Sequence, residues 1–310
     1  MRIRIIGAGG VGGYLGGRLA AAGEDVAFLA RGEHLDAILR DGLRILSARG
    51  DARIFPARAS ADPSAIAPGD LVIVAVKNWD TDAAADAAAR IVGPGAEIVS
   101  FQNGVEAWDQ IASATGRPVL GGVAYITASI ESPGVIRHSG TVERFELGAF
   151  DGRSSPAASG LLEACRRAGV TAAISEDIGR AIWEKFVFLT AFSALTALTR
   201  RPIGPIRENP ETRSLLERAM REAAAVGAAK GAGLRDDSVA RQMALADRLP
   251  ADAVSSMLHD IVRGNRLESP WLCGAVARMG KELSVETPVQ SFAAALLGLS
   301  AAGAAPSPRS

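Results

Sequence analysis

The sequence predicts an α/β fold: a doubly wound, mainly parallel sheet followed by an all-helical C-terminal domain. Three observations carry the prediction. A short apolar strand runs directly into a glycine-rich turn. Strand-like and helix-like segments then alternate up to about residue 150. Beyond Ile178 the apolar spacing is helical and strand signals fade.

The first element is the strand-like run Met1-Arg2-Ile3-Arg4-Ile5-Ile6. It leads into Gly7-Ala8-Gly9-Gly10-Val11-Gly12, and a helix follows to about Ala22. A second apolar run, Val26-Ala27-Phe28-Leu29-Ala30, ends at Arg31. Strand, glycine turn, helix and strand in this order make a Rossmann-type dinucleotide-binding unit. Gly7 permits the tight turn, Gly9 lets the backbone approach a pyrophosphate, and Gly12 lets the helix lie close to the sheet. The helix N-terminus adds free N–H groups and a positive dipole end. Gly12, Gly16 and Ala20 recur every four residues, so one small-residue stripe can press on the strands. Residues Gly7, Ala8, Gly9, Gly10, Val11 and Gly12 are therefore candidate cofactor contacts. An NAD site usually has Asp or Glu at the end of the second strand. Here that end is Ala30-Arg31-Gly32, whereas Glu24 and Asp25 precede the strand. A cation at Arg31 suits a 2′-phosphate, which points to NADPH. The plain alternatives are a ligand-free glycine turn and a solvated loop charge.

Further strands are expected near Leu43–Leu46, Leu71–Ala75, Glu97–Phe101, Val119–Thr127 and Thr141–Leu147, with helices over Asp80–Ile91 and Glu106–Ala114. Val135–His138 and Val142–Phe145, separated by Ser139-Gly140-Thr141, read as a hairpin at the far edge of the sheet. A helix over Leu161–Ala168 and a short run Val170–Ile174 close the first half. The character changes at Ser175-Glu176-Asp177, any of which can cap the next helix. Helices are expected over Ile178–Thr199, Glu211–Lys230, Ala251–Arg263, Trp271–Glu282 and Pro288–Leu299. The expected domains are residues 1–175 for the dinucleotide, 176–300 for substrate and catalysis, and a loose Ala/Pro/Ser-rich tail over 301–310. Ligands of such folds bind at the C-terminal ends of the strands, so the expected site is the cleft between the two domains.

Composition narrows the function further. The 310 residues are 48% hydrophobic and carry no formal net charge, which disfavours nucleic acid and anionic membrane surfaces as partners. No apolar stretch reads as long and clean enough to cross a bilayer. The first strand leaves no room for a cleaved leader, and the two cysteines, Cys165 and Cys273, fit a reducing cytoplasm. His34, His138 and His259 are scattered without a metal-ligand pattern, so no metal is expected. The apolar-faced helices of the second half can support a homodimer as readily as an intramolecular core.

Several short segments, in order and spacing, give the chain a family likeness. They are Gly7–Gly12, Val76-Lys77, Gln102-Asn103-Gly104, Trp183-Glu184-Lys185, Ser255-Ser256-Met257-Leu258-His259-Asp260 and Gly264-Asn265-Arg266-Leu267-Glu268. Together they make the chain resemble the ketopantoate reductases (2-dehydropantoate 2-reductases) over almost its whole length. The resemblance implies NADPH-dependent reduction of a 2-oxo acid, with Lys185 as general acid and Glu268 placing the substrate. It also implies that Lys77 lies near the ribose or the substrate, and Asn103 near the nicotinamide ribose and the reacting carbonyl.

The residues support these roles on their own chemistry. Reducing a ketone needs a hydride donor on one face and a proton for the developing alkoxide. Lys185 falls early in the first helix of the second domain, between bulky apolar neighbours Trp183, Phe186 and Phe188. An ammonium there can polarise a carbonyl and protonate it, and burial would lower its pKa towards a useful range. Lys77 and Asn103 each follow a strand, where loops line the site in this fold. Ser256, placed about one turn into a helix, can hold a substrate carboxylate or merely cap backbone.

The chain departs from the family pattern on the substrate side. Asparagines are expected four and eight residues after the lysine, on the lysine's own helix face. Leu189 and Ser193 stand there instead. Ala253 replaces a third asparagine, and the usual Asn-Gly after the glutamate reads Cys273-Gly274. Leu189, Ser193, Ser256 and Asn103 are thus the candidate substrate contacts. Leu189, Phe192 and Trp271 would make the pocket more apolar, and Ser193 and Thr196 would supply the remaining polar groups. Two substrate readings stay open: 2-dehydropantoate itself, or a less polar 2-oxo acid. An opine- or imine-type dehydrogenase and a non-catalytic NADP-binding sensor are the alternative functions.

Overall fold

The computed structural model describes residues 1–303; residues 304–310, most of the expected tail, lie outside the described residues. The chain forms two compact units. The first comprises residues 1–102 and 106–178, and the second comprises 103–105 and everything described from Gly179 onward.

The first unit contains, in chain order, β1 (Arg2–Ile6), α1 (Gly10–Ala21), β2 (Asp25–Leu29), α2 (Gly32–Asp41), β3 (Leu43–Ser47), β4 (Ala52–Ile54), β5 (Arg58–Ser60), β6 (Gly69–Val74), α3 (Thr81–Ile91), β7 (Val92–Ser100), α4 (Ala107–Thr115), β8 (Val119–Ser132), β9 (Val135–Gly148), α5 (Pro156–Arg167) and β10 (Ala172–Ile174). One sheet joins all ten strands in the order β4-β3-β9-β8-β7-β6-β1-β2-β5, with β10 pairing beside β9. Pairing is parallel except for β3 with β4 and β8 with β9. The central strands are continuous apolar runs because both faces are covered: Ile3, Ile5, Leu71, Ile73 and Val99 are all fully buried.

Helix α1 is enclosed by both ends of this sheet, touching β1 and β2 on one side and β3, β4, β8 and β9 on the other. Two small-residue stripes make this possible, where one was expected. A methyl group on Gly16 would lie 2.6 Å from Phe28 and 2.8 Å from Ile5. One on Gly17 would lie 2.7 Å from Ile45, and one on Gly13 would lie 2.9 Å from Ile136. The helix is apolar almost all round, as a helix buried on all sides must be.

Polar groups lock the second side of α1. Tyr14, fully buried, donates its hydroxyl to Glu143 of β9. Glu143 also accepts from the Thr171 N–H at 2.9 Å and faces Arg49 at 3.5 Å. His138 packs at a tilt against the Tyr14 ring with centroids 5.0 Å apart and reaches Ser47 of β3 at 2.9 Å. Burial, reinforced by the Glu143 bond, pushes the Tyr14 phenol pKa up.

The hairpin expected at residues 139–141 is not a turn. β8 and β9 are the two arms of one long hairpin, reversed at Pro133-Gly134, where Gly134 has φ +77°. Proline followed by a glycine at positive φ is what a tight turn asks for. Gly140 and its neighbours instead bulge from β9: Ile126 pairs with Glu143, and the next pair is Thr127 with Ser139. Nor is this hairpin the sheet edge, because β3 and β4 extend the sheet beyond it.

The second unit is helical: α6 (Ile178–Thr199), α7 (Ile203–Glu208), α8 (Pro210–Ala229), α9 (Ser238–Arg248), α10 (Ser256–Val262), α11 (Cys273–Leu283) and α12 (Pro288–Gly298). α6 runs over the expected span. It is, against expectation, long and apolar enough by composition to cross a membrane, but 67% of its most apolar window is buried inside the fold, as in a core helix. Glu222 of α8 accepts from the Val289 and Gln290 N–H groups at 2.9 and 2.8 Å, placing a carboxylate at the start of α12. Gln290 in turn reaches Thr190 of α6 at 3.1 Å. The helix expected over Ala251–Arg263 starts only at Ser256, because the Ser255 side chain caps it by accepting from the Leu258 N–H at 3.1 Å.

Removing the Tyr14 hydroxyl leaves Glu143 without its buried donor. Tyr14→Phe should lower stability by about 1–3 kcal/mol, measured by urea unfolding, since an orphaned buried acceptor costs that much. An unchanged midpoint would mean that water or Arg49 replaces the bond without loss.

Candidate functional site

The first unit presents the glycine turn. Gly7 has φ +98°, and a side chain there would lie 2.8 Å from Val76 and 2.9 Å from the Ala75 carbonyl. A methyl on Gly12 would lie 2.1 Å from the Gly7 oxygen, so turn and helix start are in backbone contact. Gly10 is closed in the same way, since a methyl there would run into the Ala128 carbonyl of β8. Gly9 is the exception: nothing lies within 4 Å of where its side chain would be. It is also the N-cap of α1, and no side chain caps that helix end. Open space at Gly9 beside an uncapped helix N-terminus fits a dinucleotide pyrophosphate. Ala8 is buried and Val11 half-buried, so both shape the turn.

Arg31 is the N-cap of α2 and is exposed, with its guanidinium 2.6 Å from Asp80. The sequence reading did not single out Asp80. Its signal was proximity in sequence to Lys77, whose Nζ lies 5.7 Å from the centre of the Trp79 ring. Glu24 and Asp25, set aside as being at the wrong strand end, have structural partners: Glu24 pairs with the N-terminal amine and Arg167, Asp25 with Arg4 and Arg58.

The second unit holds the lysine. Residues 103–105 belong to it, which brings Asn103 to α6, and Lys185 Nζ donates to Asn103 Oδ1 at 2.8 Å. Burial pulls the Lys185 pKa down from the usual lysine range to about 8, partly opposed by the charge of Glu268. Glu268 is buried and stands at the start of a short 3-10 turn, Ser269–Trp271. Three residues distant in sequence, at positions 103, 185 and 268, therefore converge on one ammonium. An ammonium held by an amide oxygen, within the field of a carboxylate, and with its pKa lowered to about 8, can act as a general acid.

The remaining candidates separate. Leu189 is half-buried one turn along α6. Ser193, a further turn on, is buried, and its hydroxyl finds no hydrogen-bond partner. Phe188 and Phe192 stack on the same helix with ring centroids 5.1 Å apart. Thr196, expected as a polar group for substrate, is already engaged. Its hydroxyl donates to the Phe192 carbonyl at 2.7 Å and meets the Ser255 hydroxyl at 2.7 Å, tying α6 to the cap of α10. Ser256 is exposed at the first position of α10, not one turn in, and the capping belongs to Ser255. Among the described residues, no group of three or more His, Cys, Asp or Glu side chains could hold a metal ion.

A glycine-turn α/β unit followed by a helical unit with a buried lysine is the plan of a nicotinamide-dependent oxidoreductase. The comparisons make the class specific. The family model for ketopantoate reductase PanE/ApbA matches residues 3–152, and that for the ketopantoate reductase C-terminal domain matches residues 177–300. The 2-dehydropantoate 2-reductase of Mesorhizobium japonicum is 32% identical, over 96% of this chain and 97% of that protein. A ketopantoate reductase structure from Ralstonia eutropha superposes with a TM-score of 0.89 at 33% identity, covering 97% and 98% of the two chains. The chain belongs to the ketopantoate reductase family, whose reaction is reduction of a 2-oxo acid to a 2-hydroxy acid. A D-mandelate dehydrogenase solved with NADH shares the fold, with a TM-score of 0.88 at 21% identity.

The chain has four lysines, so the titration of Lys185 can be followed by NMR of labelled side-chain amines, with Lys185→Met as the assignment control. The resonance should titrate near pH 8. Because Glu268 raises the Lys185 pKa, Glu268→Gln should move the midpoint to lower pH. A midpoint unmoved by that change would separate the two groups electrostatically.

Proposed function

We propose that this protein reduces a 2-oxo acid to the 2-hydroxy acid using NADPH, with Lys185 as the general acid and Glu268 positioning the substrate. The observation that carries the reading is the half-buried Lys185, its ammonium bonded to Asn103 and influenced by the charge of Glu268, with its pKa brought down to about 8. In this reading residues 1–175 bind the dinucleotide and 176–300 bind substrate and carry out catalysis. Gly7, Ala8, Gly9, Gly10, Val11 and Gly12 take the pyrophosphate, Arg31 takes the 2′-phosphate, and Lys77 and Asn103 lie towards the nicotinamide ribose. The bound cofactor supplies the hydride.

The protein's part is electrostatic. The Lys185 ammonium polarises the ketone and then gives its proton to the oxygen as negative charge develops there. Asn103, by accepting from Nζ, fixes the direction of one N–H. Glu268 keeps the ammonium protonated at neutral pH against the cost of burial. Ser193 and Ser256 are read as polar substrate contacts, supported at Ser193 by its unpartnered buried hydroxyl.

For the 2′-phosphate, Arg31 has to exchange the Asp80 carboxylate for a phosphate. Its exposure makes that exchange inexpensive. The two free, buried cysteines suit a cytoplasmic enzyme. A second reading, favoured by Leu189 on the lysine's face of α6, is a substrate less polar than 2-dehydropantoate.

Initial rates of NADPH oxidation with 2-dehydropantoate and a panel of aliphatic and aromatic 2-oxo acids test the proposal, with NADH as control. Lys185→Ala should lower kcat with the preferred acid by about 10²–10⁴-fold, the usual worth of a positioned general acid. Lysine-independent turnover would overturn the assignment. Turnover only with an amine donor present would favour the imine reading, and cofactor binding without turnover of any carbonyl would favour the sensor.

A further inference from the structure

His34 lies on α2, was given no role above, and touches the glycine turn directly. Its Nδ1 lies 3.0 Å from the backbone N–H of Gly134, at the tip of the β8–β9 hairpin. Its Nε2 lies 2.8 Å from the carbonyl oxygen of Ala8. These partners fix the chemistry of the ring. The Gly134 N–H can only donate, so Nδ1 must be a bare acceptor. The Ala8 carbonyl can only accept, so Nε2 must carry the proton. The neutral imidazole meets both demands at once, and a protonated one cannot. Burial also pulls the His34 pKa below its usual value, in the same direction.

The bond to Ala8 has a consequence for the next residue. The peptide between Ala8 and Gly9 is planar and trans, so its C=O and N–H point in opposite directions. Holding the Ala8 oxygen against His34 fixes where the Gly9 N–H points. Gly9 is the position with open space and is the N-cap of α1. The hairpin tip is seated independently on the same helix: a methyl on Gly134 would lie 3.0 Å from the Ala37 side chain. His34 therefore has the hairpin tip on one side and the glycine turn on the other.

We infer that His34 is a positioning residue for the dinucleotide: it braces the Ala8–Gly9 peptide against α2 and the hairpin tip, so that the Gly9 amide is presented to a bound pyrophosphate. The inference rests on the reading of the glycine turn as the dinucleotide site.

Two variants separate bracing from packing. In His34→Asn, the side-chain oxygen can still accept from Gly134, but the side chain is too short to reach Ala8. In His34→Gln, the longer amide can again donate to the Ala8 oxygen. The full-length protein would be titrated with NADPH and NADH by nicotinamide fluorescence, without substrate. His34→Asn should raise the Kd about three- to tenfold, the worth of one neutral hydrogen bond, and His34→Gln should stay within about twofold of the parent. In steady-state assays, the Asn variant should raise KM for the dinucleotide and leave kcat and KM for the oxo acid at saturating cofactor within about twofold. Equal Kd values for Asn and parent, or equal losses in Asn and Gln, would overturn the bracing role. A parent protein that binds neither dinucleotide would overturn the site reading itself, and this inference with it.

Discussion

The first unit depends on how closely α1 approaches the strands around it. Gly12 and Gly16 bring it onto β1 and β2, and Gly13 and Gly17 bring it against β9 and β3. A helix with ordinary side chains at these four positions would stand off by the width of a methyl group or more. The glycine turn would then lose its contact with the helix start, and the two ends of the sheet could not both close on one helix. The buried polar cluster of Tyr14, Glu143 and His138 is possible because of this closeness, since it brings a tyrosine hydroxyl within reach of a strand on the far side of the sheet. The tight packing thus shapes both the glycine turn and the fold that carries it.

The second unit is organised around the cost of burying one ammonium. Removing a lysine from water is unfavourable unless polar partners compensate. Asn103 gives a hydrogen-bond acceptor and Glu268 an opposite charge, and the balance leaves the proton weakly held. The choice of lysine is pointed in this chain, where only four of the thirty-four basic side chains are lysines. Arginine cannot release a proton under ordinary conditions, whereas a buried lysine can. The two lysines singled out from sequence, Lys77 and Lys185, are half of all those present.

Much of this was legible in the sequence. The strand–glycine turn–helix unit was readable because each glycine has a steric reason visible in its spacing. α6 was readable because its apolar pattern is long and unbroken. The hairpin was misplaced because Ser139-Gly140-Thr141 has turn composition, yet the long-range pairing of β8 with β9 absorbs those residues as a bulge. Helices α2, α7 and α9 were not read from the sequence; α7, at six residues, is too short for a periodic signal. Thr196 looked available because its partner Ser255 is fifty-nine residues away. The roles of His34 and Asp80 were invisible for the same reason: nothing local announces that Gly134 will arrive at one and Arg31 at the other.

A lysine whose pKa is lowered to about 8 is an uncharged amine more often at neutral pH than an ordinary lysine. Such an amine is a nucleophile, and the compounds this family handles are electrophilic ketones. The same desolvation that lowers the Lys185 pKa therefore opens it to covalent capture by reactive carbonyl compounds.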